Sequence, residues 1–155
     1  MLNNSVVTKA VVDTLKSSES LDNVTIERNV RVNTYSGNTP WIGVYSGRYA
    51  IDPKTLGGRN SVDCKTWRQE IRPSIIVQAN NISGDGEEAS DELETLIMYV
   101  IDAISGSNNA GLNFGLNSLR LLGVETEYSY SLMDGDESGD IFYPQAEIIL
   151  TLEVR

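Results

Sequence analysis

The stretch Ala146-Glu147-Ile148-Ile149-Leu150-Thr151-Leu152-Glu153-Val154 decides the fold class. Ala146, Ile148, Leu150, Leu152 and Val154 alternate with Glu147, Ile149, Thr151 and Glu153. A period of two with acids on one side belongs to a strand with one covered face and one wet face. Upstream, Val124, Thr126, Tyr128, Tyr130 and Leu132 alternate in the same way with Glu125, Glu127, Ser129 and Ser131. The two stretches predict a hairpin that closes the chain.

Working outward, the period changes to that of a helix. Ala89, Leu93, Leu96, Ile97, Val100, Ile101 and Ile104 trace one apolar stripe across residues 87–105. Glu87, Glu88, Asp91 and Glu92 crowd its first turns, where the positive end of the helix dipole favours acids, and Gly106 is a natural stop. Residues 5–18 predict a second helix, with Val6, Val7, Ala10, Val11 and Leu15 opposite Lys9, Asp13 and Lys16. Asn3, Asn4 and Ser5 are all competent caps for it.

Residues 24–34 read as a strand, and Arg28 in its apolar face predicts a bulge or an open edge. Residues 67–79 read as another strand. Pro73 lies inside it without an N–H to donate, which predicts an edge segment or a bulge. Residues 35–66 are the least regular: turns are expected at 36–40 and at Ser46-Gly47, and a loop follows Ile51. A short helical turn is expected at 116–122. The sum is a single α+β domain over residues 1–155, with a mostly antiparallel sheet, two helices packed on one face, and an extended hairpin or loop arm over 35–66.

Composition narrows the chemistry. The chain of 155 residues has 12 Lys and Arg against 22 Asp and Glu, a net charge of −10, and no histidine. Such a field repels phosphate backbones, so sequence-specific nucleic-acid binding is disfavoured, although DNA passing nearby without sticking is not. The missing imidazole removes Ser-His-Asp and Cys-His mechanisms and His-ligated zinc. The single Cys64 has no partner for an intramolecular disulfide, and without a histidine base it makes a poor nucleophile. No secretory signal is expected, and the longest apolar run, Leu96 to Ile101, falls far short of the ~20 residues that cross a bilayer.

Four motifs compete for a role in chemistry. Asp134-Gly135-Asp136-Glu137-Ser138-Gly139-Asp140 copies the first half of a calcium loop, but Gln145 stands where the bidentate Glu belongs, so a solvated hairpin turn is expected. Ser83-Gly84-Asp85-Gly86 and Gly57-Gly58-Arg59 lack the lysine framework of a phosphate loop and read as turns. Glu125 and Glu127, with Glu147 and Glu153 across from them, offer paired carboxylates of the type that hydrolyses glycosides, yet in a chain with 22 acids such pairs arise by chance and a solvated sheet face is the expected explanation. More informative is the concentration of Trp41, Tyr45, Tyr49 and Trp67 with Arg48, Arg59 and Arg68, residue types enriched at binding hot spots. Core closure under a loop competes with that reading for the tryptophans. Trp41, Tyr45, Arg48, Tyr49, Arg59 and Arg68 are the candidate partner or oligomer interface.

Several segments together resemble the tail terminators of long-tailed bacteriophages. They are the N-terminal helix, Pro40-Trp41-Ile42-Gly43-Val44-Tyr45, Tyr49-Ala50-Ile51-Asp52-Pro53-Lys54-Thr55-Leu56-Gly57-Gly58, the 67–78 strand, the Asp91-Glu92-Leu93-Glu94 helix start and the final strand from Glu147 to Arg155. The resemblance implies an α+β subunit of a hexameric ring at the head-proximal end of the tail tube, which ends tube polymerisation and joins the tail to the head. It further implies the tail tube protein and head-tail connector proteins as partners, DNA passing through unbound, a virion location after assembly in the host cytoplasm, and no membrane. Catalytic residues, metal and cofactor are all expected to be none. Alternatives left open are a head-completion or neck connector protein, a non-catalytic intracellular adaptor, and a carboxylate-dependent hydrolase. The charge predicts subunits that resist association at low salt.

Overall fold

The computed structural model describes residues 3–28, 40–53, 67–79, 86–106, 114–116, 118–133 and 141–154. The elements run α1 (Asn4–Lys16), a short 3-10 helix (Glu19–Leu21), β1 (Thr25–Arg28), β2 (Trp41–Pro53), β3 (Trp67–Gln78), α2 (Gly86–Ser105), β4 (Leu119–Met133) and β5 (Ile141–Val154). Asn3 caps α1, its side-chain oxygen accepting from the Val6 N–H at 2.9 Å. The five strands form one sheet in the order β1-β2-β3-β5-β4. β1 and β2 run parallel, and the other three pairings are antiparallel. This is the expected α+β architecture, with one parallel pairing at an edge.

Both helices lie on the same face. α1 packs mainly on β1 and β2, α2 mainly on β5 and β3, and the helices touch each other. Between them and the sheet, Val7, Val11, Leu15, Leu93, Val100 and Ile104 meet Ile42, Val44, Ile71, Ile75 and Val77. The alternation read in the final strand is realised in full: Ala146, Ile148, Leu150 and Leu152 have no exposed surface. Each buried aliphatic side chain of this kind contributes roughly 1.5–3 kcal/mol.

Two expectations need correcting. Residues 41–53 form one continuous strand, and Ser46-Gly47 is a bulge within it rather than a turn. Leu119 to Leu122 belong to β4, not to a helical turn, because they pair with the end of β5. The remainder of the expected arm, residues 35–39 and 54–66, lies outside the described residues.

The bulge and Pro73 are one feature. β3 is a central strand, so the edge alternative fails, but the bulge alternative holds on the partner strand. Tyr45 pairs with Ser74 and Arg48 with Arg72, leaving Ser46 and Gly47 opposite Pro73 alone. A two-against-one arrangement needs no ladder bond from the residue that cannot donate one. It also brings the β2 backbone so close to β3 that a Cβ at Gly47 would run into the carbonyl oxygen of Arg72.

Gly47→Ala is therefore expected to destabilise the protein by about 1–3 kcal/mol in urea unfolding. Gly123→Ala, in the open β4 edge where nothing stands within 4 Å of an added Cβ, should change stability by less than about 1 kcal/mol in either direction. Equal effects at the two glycines would show that the bulge does not require glycine.

Candidate interaction surface

The sheet face away from the helices carries most of the chemistry. Partners in register share a face, so Trp41, Gln78 and Gln145 form one row and Glu27, Gly43, Ile76, Glu147 and Glu127 the next. Tyr45, Ser74, Ile149 and Glu125 form a third row. Although no helix among the described residues covers this face, Trp41 is only 2% exposed and Ile76 4%. The Trp41 ring lies over Gly43, where any side chain would displace it, and its Nε1 donates to Glu27 Oε2 at 3.0 Å. Trp41 thus ties the short edge strand β1 to β2.

At the middle of the face sits Glu147. Its Oε1 accepts from the Tyr45 hydroxyl at 2.8 Å and from Ser74 Oγ at 2.9 Å. Burial pushes the Tyr45 hydroxyl above its ordinary pKa of 10.0, and the hydrogen bond to Glu147 raises it further because the phenolate would face that carboxylate. Three strands are stitched by this one oxygen. Directly across on β4 stands Glu127, like charge against like, which weakens that pairing.

Below the bulge the face is ionic. Arg48 lies opposite Arg72, whose Nε bonds Glu70 Oε1 at 2.8 Å. Glu70 stands in register with Glu153, and Glu153 with Arg120. Partly exposed pairs of this kind contribute about 0–1 kcal/mol each.

The candidate interface residues are consequently dispersed. Strict alternation would put Trp41, Tyr45 and Tyr49 on one face, but the bulge shifts the count, so Arg48 joins the outer face and Tyr49 turns to the helix side opposite Ile71. Trp41 is buried, Tyr45 half-buried, and Arg48 and Tyr49 exposed; the Tyr49 hydroxyl accepts from Gln69 Nε2 at 2.9 Å. Arg68 lies in β3 in register with Asp52, and Arg59 is outside the described residues. Sequence reasoning missed Ser74 as the second donor and Glu147 as the point where both donors converge. Only the β2–β3–β5 register brings them together.

Of the paired acids, Glu127 and Glu147 do meet across strands, whereas Glu153 faces Arg120 and Glu70. Among the described residues no cluster of His, Cys, Asp and Glu is arranged to hold a metal, and no helix is long and apolar enough to cross a membrane. Cys64 and the acidic loop at 134–140 lie outside the described residues. No protein-family model matches the chain, and no curated protein matches it either.

The raised Tyr45 pKa has a definite sign. Its contribution is complete below the unfolded value near 10.0 and is lost as pH rises through the folded value. Tyr45→Phe should therefore cost about 1.5–3 kcal/mol at neutral pH, as a hydrogen bond to a charged group does, and the gap to the parent protein should narrow above pH 10.0. Urea unfolding of both proteins across that range measures it; a gap constant with pH would mean that the hydroxyl does not act through Glu147.

Proposed function

We propose that the chain is a bacteriophage tail-terminator-like virion protein. In this reading, copies form a ring of six at the head-proximal end of the tail tube, stop its polymerisation and present a joining surface to the head-tail connector. The sequence resemblance named above motivates it. The observation that carries it is the pair of unlike edges on one sheet: β1, paired parallel to its neighbour, on one side and β4, paired antiparallel to its neighbour, on the other. A contact between two unlike edges runs head to tail, and such contacts close into rings when the rotation permits.

Charge fits the same reading. Each copy adds ten negative charges to the assembly, so a lumen built from it does not grip the phosphates of passing DNA. The role requires no turnover: the protein acts by shape, at the end of a growing cylinder.

Negative-stain microscopy of the purified protein, alone and mixed with tail tubes, tests this. Rings, or caps confined to one tube end, are expected. In particles that lack the protein, tails should lose their defined length and fail to join filled heads. Normal tails attached to heads in those particles would overturn the proposal, and a ring bound to heads but never to tubes would move the protein to the neck.

A further inference from the structure

The helix layer stops short of the sheet. α2 packs on β5 and β3, and on the helix side of β4 Val124 remains 39% exposed. Beside it, α2 presents Met98, 57% exposed. By helical spacing Glu94, Met98 and Ile101 share one flank of α2, away from Ala103, which lines a groove with α1 residues Thr14 and Ser17. Glu94 and Ile101 therefore lie on the side of α2 turned from α1, the side on which β4 follows β5 in the sheet, and Met98 lies between them and the outer surface of the helix. The helix is acidic: α2 has six acids, Asp91 and Glu94 among them, and no Lys or Arg.

The opposite edge is built differently. Where α1 meets β1, an open groove of about 640 Å³ is lined by Lys9, Lys16 and Arg28, with the acids Asp13 and Glu27 and the apolar Val12 and Ile26. Three of the chain's twelve cations gather here, at the far side of the sheet from the acidic shelf.

We infer that these two edges bind each other between copies of this chain: the α1–β1 groove of one copy seats on the β4 shelf of the next, under α2. Three observations on the fold support it. Following the pairings across the sheet, β1 and β4 run in opposite directions. Two copies in the same orientation therefore place β4 antiparallel to the neighbour's β1, the geometry for strand addition. The neighbour's α1 then fills the place in the helix layer that α2 leaves open, covering Val124 and Met98. Its Lys9 and Lys16 come alongside Asp91 and Glu94.

Charge also rejects the simpler alternatives. A two-fold dimer through β4 would set Glu125, Glu127 and the α2 acids against their own copies, while one through β1 would leave those acids without cations and the excess of Lys9, Lys16 and Arg28 over Asp13 and Glu27 facing itself. On the outer side of the head-to-tail junction Glu27 approaches Glu125 and Glu127 and contributes no attraction, so the contact is weighted to the helix layer. The inference rests on the self-assembly part of the ring reading and names the surfaces that make it.

Charge reversal of the full-length protein decides it, read by sedimentation velocity over a concentration series, with circular dichroism confirming the fold. Lys9→Glu with Lys16→Glu, and separately Asp91→Lys with Glu94→Lys, should each weaken association at least about tenfold. Mixing the two variants should restore it, because each reversed edge then faces a reversed partner. If the lysine variant assembles like the parent, if the mixture fails to recover, or if the parent stays monomeric or stops at a closed dimer, the inference is wrong. Tail capping is read separately on tubes: capping by a reversal variant that assembles normally sinks the interface and leaves the terminator reading standing. Assembly through these edges without capping does the opposite.

Discussion

Two helices cannot cover five strands. Helices pack at about 8–10 Å and strands are spaced about 4.8 Å apart, so a pair of helices shelters about four strands of a sheet. In this protein the pair is placed toward β1, with α1 over β1 and β2 and α2 over β3 and β5. Everything distinctive about the surface follows from that offset. β5 is driven to complete burial on its inner side, β4 is left as a half-covered rim, and the outer face must find its own way to bury Trp41 and Ile76 without a helix above it.

Trp41 lies flat over a glycine and bonds Glu27, and Tyr45 and Ser74 converge on one oxygen of Glu147. A half-buried carboxylate with no donors would be costly, and so would the buried Ser74 hydroxyl with no acceptor. Together they satisfy each other and join β2, β3 and β5 at the sheet's centre. The arrangement is directional, because both donors converge on a single oxygen.

Legibility in the sequence followed the range of the interactions involved. Periodicity is local, so the helices at 4–16 and 86–105 and the inner face of β5 were readable from residue spacing alone. Pro73 was readable as an anomaly, but its consequence fell on another strand, at Ser46-Gly47, where glycine beside a polar residue looks like a turn. Distinguishing a turn from a bulge requires knowing what lies opposite. The same limit governed the candidate interface: Tyr45 stands 102 residues from Glu147 in sequence, and no spacing rule connects them. Trp41, picked out as a surface anchor as much as a core residue, is buried because Gly43 two residues on makes room for its ring.

The offset of the helices also explains why charge is distributed as it is. An uncovered rim beside an apolar shelf is an invitation to indiscriminate strand pairing, which proteins limit by placing charge at edges. With acids alone at both edges, the chain would stay soluble and never assemble. With six acids on α2, and with Lys9, Lys16 and Arg28 outnumbering Asp13 and Glu27 where α1 meets β1, the contact inferred above favours unlike edges over like ones, while the net charge of −10 opposes association of dilute copies. Assembly then depends on local concentration more than on intrinsic affinity, and a surface that gathers subunits sets where it happens. Under the terminator reading proposed above, that is the useful property: weak pairing in solution, and a ring where a template holds several copies side by side.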